Sequence, residues 1–341
     1  MLTQAEHHSN LLPWQRIAHQ TGAKLVFIPI DPTTHTLRTP LAYLSAKTKL
    51  VAVTADSNVL GPVWNHDTEL KDFIAQAHAL GAVALVDAAQ MMLHKKLDVQ
   101  ALGADFVLFS GHKMLGPTGI GVVYINQKHH ATLEPYHLGG SMVHEVTFDH
   151  ARWLQAPHKF EAGTPPIAGA LGLAAAVDYI NKNINFAQLA AHEAALCAQI
   201  IAGVAHNPAI TVVGNKERLM REGHVVSLAF NGVHPHDIAT HLGFQNIAVR
   251  AGHFCAQPLI TSLGYESLLR ISVAPYNTAR DIEMFVLALN DCLKVFAPLD
   301  TFFEAKNTRG ERSKSPFVVS VSSDPELVEG KSRDVSNHEP S

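Results

Sequence analysis

Two short stretches, VDAAQ (Val86 to Gln90) and SGHKMLGPTGIG (Ser110 to Gly121), place a carboxylate, an amide, a hydroxyl, an imidazole and an amine directly after apolar runs. An amine such as Lys113 can bond covalently to an aldehyde. Asp87 can keep a pyridine nitrogen protonated, so that the ring becomes an electron sink, while Ser110 and His112 can donate to a phosphate. Together these meet the requirements of a pyridoxal 5'-phosphate (PLP) site. Taken singly, each residue has a blander reading, since a lysine after a strand is usually solvated and an aspartate often caps a turn. The ordered set favours the cofactor site. Gly116, Gly119 and Gly121, with Pro117 among them, suit a hairpin whose backbone passes close to a ligand.

A second constellation lies late in the chain, where Cys255 stands in AVRAGHFCAQP behind Arg250, and Arg270 stands in LRISV. A lone cysteine is usually a small buried hydrophobe, the reading given to Cys197 and Cys292 on their helical stretches; the surroundings of Cys255 favour a working thiol. The 22 histidines include adjacent pairs, yet no HExxH or cysteine–histidine finger spacing occurs, so no metal site is expected.

Strands and helices must position these groups. Apolar runs at 25–30, 50–55, 83–88, 106–110 and 120–125 suit strands buried on both faces. Between the second and third, Leu70, Phe73, Ile74, Ala77 and Leu80 recur at helical spacing, with Asp67 or Thr68 as the expected N-cap and Gly81 as the stop. Strand, helix, strand implies a parallel crossover, and ligands in such sheets sit beyond the strands' C-terminal ends, where these polar residues fall. From about Asn181 the texture becomes a long Ala-rich helix (Phe186 to Val204), short strands and a final helix near Ala279 to Val295. The expected organisation is an α/β domain over 1–180, a smaller α+β domain over 181–300 carrying Cys255, and a disordered polar tail over 301–341.

With 341 residues, 47% apolar and 16% charged, and a formal net charge of -4, the chain has room for two cores and no electrostatic footprint for nucleic acid or anionic membrane. Neither a signal-peptide pattern nor an unbroken apolar run of ~18 residues appears, and three scattered cysteines suit a reducing compartment. The expectation is a cytoplasmic protein acting on a small molecule.

The segments AEHHSNLLPW, SNVLG, VDAAQ, DFVLFSGHKMLGPTGIG, GGSMVHEV, FEAGTP, AVRAGHFCAQP and LRISVAPYNT, in this order, resemble group II cysteine desulfurases of the SufS/CsdA type, PLP enzymes with the class V aminotransferase fold. The resemblance implies a fold type I large domain with a mostly parallel sheet, incomplete at the N-terminus relative to the family, plus the smaller C-terminal domain. It implies that Lys113 holds PLP, that His7 stacks on the ring and joins in proton transfer, and that Asp87 pairs with the ring nitrogen. It further implies that Gln90 meets the ring oxygen, that Ser110 and His112 hold the phosphate, and that Thr164 reaches the phosphate of the other subunit of a homodimer. Asn58 and Arg270 would grip the substrate carboxylate, Arg250 would line the mouth, and Cys255 would take the sulfur of L-cysteine as a persulfide. A SufE/CsdE-like acceptor would then remove that sulfur for iron–sulfur cluster assembly or related transfer. A remnant that only binds a partner subunit, and a selenocysteine lyase using the same Lys113 and Cys255, are the alternatives.

Overall fold

Val- and Leu-rich runs punctuated by polar residues become the strands that carry the candidate chemistry. The structure, a computed structural model, describes residues 1–296, which form one compact unit. The chain opens with β1 (Leu2–Thr3), α1 (Leu12–Thr21), β2 (Phe27–Ile28), β3 (Leu50–Thr54), β4 (Asp56–Ser57) and β5 (Gly61–Pro62). Then come α2 (Lys71–Ala79), β6 (Val83–Asp87), α3 (Val99–Leu102), β7 (Phe106–Ser110) and β8 (Gly121–Ile125). β3, β6 and β7 pair in parallel, with β8 antiparallel at the edge, giving the order β3-β6-β7-β8. This is the mostly parallel α/β sheet that the crossover pattern implies.

Beyond it stand a hairpin of β9 (Val143–Val146) and β10 (Ala151–Trp153), then α4 (Ile167–Asn183), α5 (Phe186–Val204), β11 (Ile210–Val213) and α6 (Lys216–Glu222). The last elements are β12 (Val225–Phe230), α7 (Pro235–Phe244), β13 (Arg250–Gly252), α8 (Gln257–Ser262), β14 (Leu268–Ser272) and α9 (Ala279–Val295). β11, β12, β14 and β13 form a second, wholly antiparallel sheet.

Each sheet has its own core. Val51, Val53, Val86 and Val107 pack with Phe73 and Ile74 of α2 around the first, and Phe254, Leu259, Ile260 and Leu268 join them from the second half of the chain. Leu196, Ile200, Val226, Leu228, Leu269, Phe285 and Leu289 fill the second. Among the described residues α5 is the one helix long and apolar enough to cross a membrane; here it buries Leu189, Leu196, Cys197, Ile200 and Val204 inside the protein. A small third cluster sets Leu173 and Ile180 of α4 against Met114, the residue after Lys113.

Three local expectations are corrected. Only Phe27–Ile28 of the run at 25–30 is strand, because its partner β1 is itself two residues long. The helix cap is Asn65 rather than Asp67 or Thr68: its Oδ1 accepts from the Asp67 and Thr68 N–H groups at 3.2 and 3.3 Å, and a wide turn over His66–Leu70 leads into α2. α4 has no counterpart in the sequence reading, since its Ala- and Gly-rich run shows weak contrast between faces. The tail expected over 301–341 lies outside the described residues.

Candidate active site

Parallel pairing brings the C-terminal ends of β3, β6 and β7 side by side. Asp87 ends β6, in register with Thr54 of β3 and Leu108 of β7, and is 4% exposed; its Oδ1 accepts the Ala89 N–H at 2.9 Å. Beyond β7 a short turn, Gly111–Lys113, carries the candidate lysine. The Gly111 and Ile120 backbones close this turn with a 2.9 Å hydrogen bond, and a Cβ on Gly116 would lie 2.8 Å from the Gly111 carbonyl oxygen, so only glycine fits there.

Charge defines the site. Burial lowers the pKa of Lys113 while Asp87 raises it, and Arg270, Arg250 and Cys255 all act on the same amine. Burial likewise raises Asp87, with Lys113 opposing. His7 is brought down to about 4 by burial and by the positive charges of Lys113, His8, Arg250 and Arg270, so it is neutral at pH 7. Its Nδ1 lies 2.6 Å from Ser9 Oγ. Arg270 falls to about 10, through burial and Arg250, with Cys255 opposing.

The thiol is delivered by backbone hydrogen bonds. His8 N donates to the Cys255 carbonyl at 2.7 Å, Asn58 Nδ2 donates to the Phe254 carbonyl at 2.5 Å, and Arg270 donates through Nη1 to the Asn58 carbonyl at 2.9 Å. The guanidinium of Arg270 also sits 5.2 Å from the Phe254 ring centroid. Phe254 and Cys255 both have left-handed backbones, φ 53° and 57°, a region that side-chain-bearing residues seldom occupy. Cys197 and Cys292 are buried, Cys255 half-buried.

The chain matches the class-V aminotransferase family over residues 1–285. It belongs to that family. A probable cysteine desulfurase of Halalkalibacterium halodurans is 41% identical over 297 residues, 87% of this chain and 71% of that protein. Among solved structures, the cysteine desulfurase CsdA of Escherichia coli is similar at 37% identity and TM-score 0.80, covering 87% of this chain and 72% of that one. An apo cysteine desulfurase of Thermococcus onnurineus, 38% identical, has the same TM-score over 86% of this chain and 72% of that one.

His7, Asp87, Lys113, Arg250, Cys255 and Arg270 therefore converge on one charged neighbourhood. Ser110 and Gln90 are half-buried beside it on the β7 end and the turn after β6, whereas His112 is exposed. Asn58 is buried with its side-chain nitrogen already engaged by Phe254. Thr164 lies exposed on the loop before α4. The donor set fits PLP: a half-buried amine faces a buried carboxylate across neighbouring strand ends, with hydroxyl and imidazole groups on the same loops.

The sequence reading missed three participants of this neighbourhood. Glu6 is 3% exposed directly before His7, and its carboxylate accepts from Thr3 Oγ at 2.5 Å, Asn10 Nδ2 at 2.6 Å and Thr54 N at 3.0 Å. His8 accepts from Gln257 N at 3.1 Å, and Phe254 supplies a carbonyl and a ring. Glu6 stands inside AEHHSN, where a carboxylate next to two histidines was the available signal.

Proposed function

We infer that this chain is a PLP-dependent cysteine desulfurase, taking sulfur from L-cysteine and releasing L-alanine. The observation that carries the reading is the meeting of Lys113, Asp87 and Cys255 in one electrostatic field, in a family member about 40% identical to desulfurases. PLP, when bound, supplies a protonated ring into which negative charge at the substrate Cα can spread.

The protein's own groups do the rest. Lys113 would anchor the cofactor and, as a free amine, would take the substrate's Cα proton; burial favours the neutral amine that this requires. Asp87 would hold the ring nitrogen protonated, and His7, neutral at pH 7, would serve as a proton carrier beside the ring. Ser110 and His112 would hold the phosphate, with Gln90 meeting the ring oxygen. Arg270 grips the substrate carboxylate with its planar fork, Asn58 fixes Arg270 and the thiol loop, and Arg250 lines the mouth. Cys255 thiolate attacks the substrate sulfur: the new S–S bond forms as the Cβ–S bond breaks with its electron pair left on the carbon side, and protons delivered to Cβ and returned from Lys113 to Cα complete alanine.

The proposal includes a homodimer in which Thr164 reaches the partner's phosphate, a SufE/CsdE-type acceptor for the persulfide in iron–sulfur assembly, and a cytoplasmic setting, supported by three free cysteines. It also includes a functional division near residue 180, the cofactor groups lying before it and the thiol after. The test is incubation of the full chain with PLP, followed by its visible spectrum and assays for alanine and sulfide from cysteine. Cofactor absorbance with both products supports the reading, and Lys113→Ala should abolish all three signals. A colourless chain that yields no alanine would overturn it.

A further inference from the structure

Behind the thiol loop lies a buried charged knot in which the two halves of the chain meet. Asp56 of β4 is fully buried, and among the described residues neither carboxylate oxygen has a hydrogen bond of good geometry. His66 Nε2 lies 3.0 Å from Asp56 Oδ1 and 3.1 Å from the Ala55 carbonyl, which takes its N–H. The other ring nitrogen of His66 lies 3.1 Å from the Lys95 ammonium, and Lys95 in turn meets Glu222 of α6 at 3.1 Å. On another side, His224, 1% exposed and with neither ring nitrogen partnered among the described residues, stacks on His94 at 3.9 Å; His94 binds Glu193 of α5 at 2.9 Å. Burial alone would raise the Asp56 carboxyl, but His66, His224 and Lys95 outweigh it and hold Asp56 ionised, well below the usual range.

A buried carboxylate without a hydrogen bond is costly, and an apolar residue would fill the space more cheaply. Its position in the chain supplies a reason. Asp56 immediately precedes Ser57, whose Oγ accepts the Val59 and Leu60 N–H groups at 3.2 Å each, and Asn58, which holds both the Phe254 carbonyl and Arg270. Ser227 of β12 clamps the next carbonyl, Val59, at 2.6 Å. Fixing Asp56 therefore fixes the short backbone from which the thiol loop and the carboxylate grip both hang.

We propose that Asp56, locked by His66, Lys95 and Glu222, is a positioning residue for desulfuration: through Asn58 it sets the placement of Arg270 and of the Phe254–Cys255 peptide. The proposal rests on the desulfurase reading. It assigns to the knot a task beyond joining the two cores, and that task can be measured apart from stability.

The experiment compares Asp56→Asn and Glu222→Gln with the wild-type full chain. Four quantities are read: KM and kcat for L-cysteine with PLP bound, the iodoacetamide alkylation rate of Cys255 without cofactor, and the urea midpoint. Mass spectrometry assigns the alkylated thiol. Asp56→Asn is expected to raise KM roughly tenfold with a smaller fall in kcat, and to speed alkylation several-fold by freeing the loop, since small misplacements of oriented groups cost factors of about ten to a hundred. Glu222→Gln should shift both quantities less, in the same directions, and Lys95→Arg should keep them near wild type. A lowered urea midpoint with KM and alkylation unchanged would mean a purely structural knot and overturn the proposal. If Asp56→Asn does not fold, Glu222→Gln decides by the same two readouts. Wild-type chain that turns over no cysteine sinks the desulfurase reading, while the alkylation comparison still reports whether Asp56 controls the thiol loop.

Discussion

Glu6 is a carboxylate buried beside another carboxylate, and its removal should change how stability depends on pH. Burial and the neighbouring Asp87 push its pKa from 4.5 up to about 7, against the pull of hydrogen bonds from Thr3, Asn10 and Thr54. A group whose pKa is higher in the folded state than in the unfolded state stabilises the fold fully below its unfolded value, and that contribution is lost as pH rises through the folded value. For Glu6 the window runs from 4.5 to about 7. At about 1.4 kcal/mol per pH unit, the loss across it is on the order of 3 kcal/mol. Glu6→Gln cannot ionise. Urea unfolding at half-unit pH steps from 4 to 8 should show the wild-type stability, relative to Glu6→Gln, falling by that amount as pH rises. His7, brought down to about 4, has the opposite sign, because its contribution is lost as pH falls; it is common to both proteins and cancels in the difference. A difference that stays flat between pH 4 and 8 would refute the reasoning and mean that the donors around Glu6 keep it ionised throughout.

Three further outcomes are expected. Phe73→Ala, at a residue 1% exposed with its ring 5.2 Å from that of Trp64, should cost about 3–5 kcal/mol by urea unfolding. Gly116→Ala should weaken PLP binding, read by titrating the visible absorbance, because the new Cβ would meet the Gly111 carbonyl oxygen at 2.8 Å and displace the Lys113 turn. Arg270→Lys keeps the charge but loses the planar fork, and should raise KM for cysteine roughly tenfold, with kcat less affected.

The long, strongly patterned elements were legible in sequence. Val83–Asp87 and Phe106–Ser110 are strands at their expected places, and Phe186–Val204 and Ala279–Val295 are helices with the expected bounds. Their periodicity is local, so a single chain suffices to read it. What escaped was either short or long-range. β1 and β2 offer two residues each, too few for a period, and Asn65 competes as a cap with equally suitable neighbours. The placing of Asp87 and Ser110 at the ends of neighbouring parallel strands could be read from the sequence, because parallel sheets gather polar residues there. The thiol loop's anchors could not, since Asn58 and Phe254 meet across 196 positions of sequence, and Lys95 meets Glu222 across 127.

Two successive residues with left-handed backbones, Phe254 and Cys255, put the nucleophile on a peptide that would relax if released. Each such residue costs about 1–2 kcal/mol, and Asn58 and His8 supply the restraint from separate elements. The sulfur thus rides on a cocked spring with two catches. Letting go of either one would let the backbone at Phe254 and Cys255 relax toward the right-handed region that ordinary residues prefer.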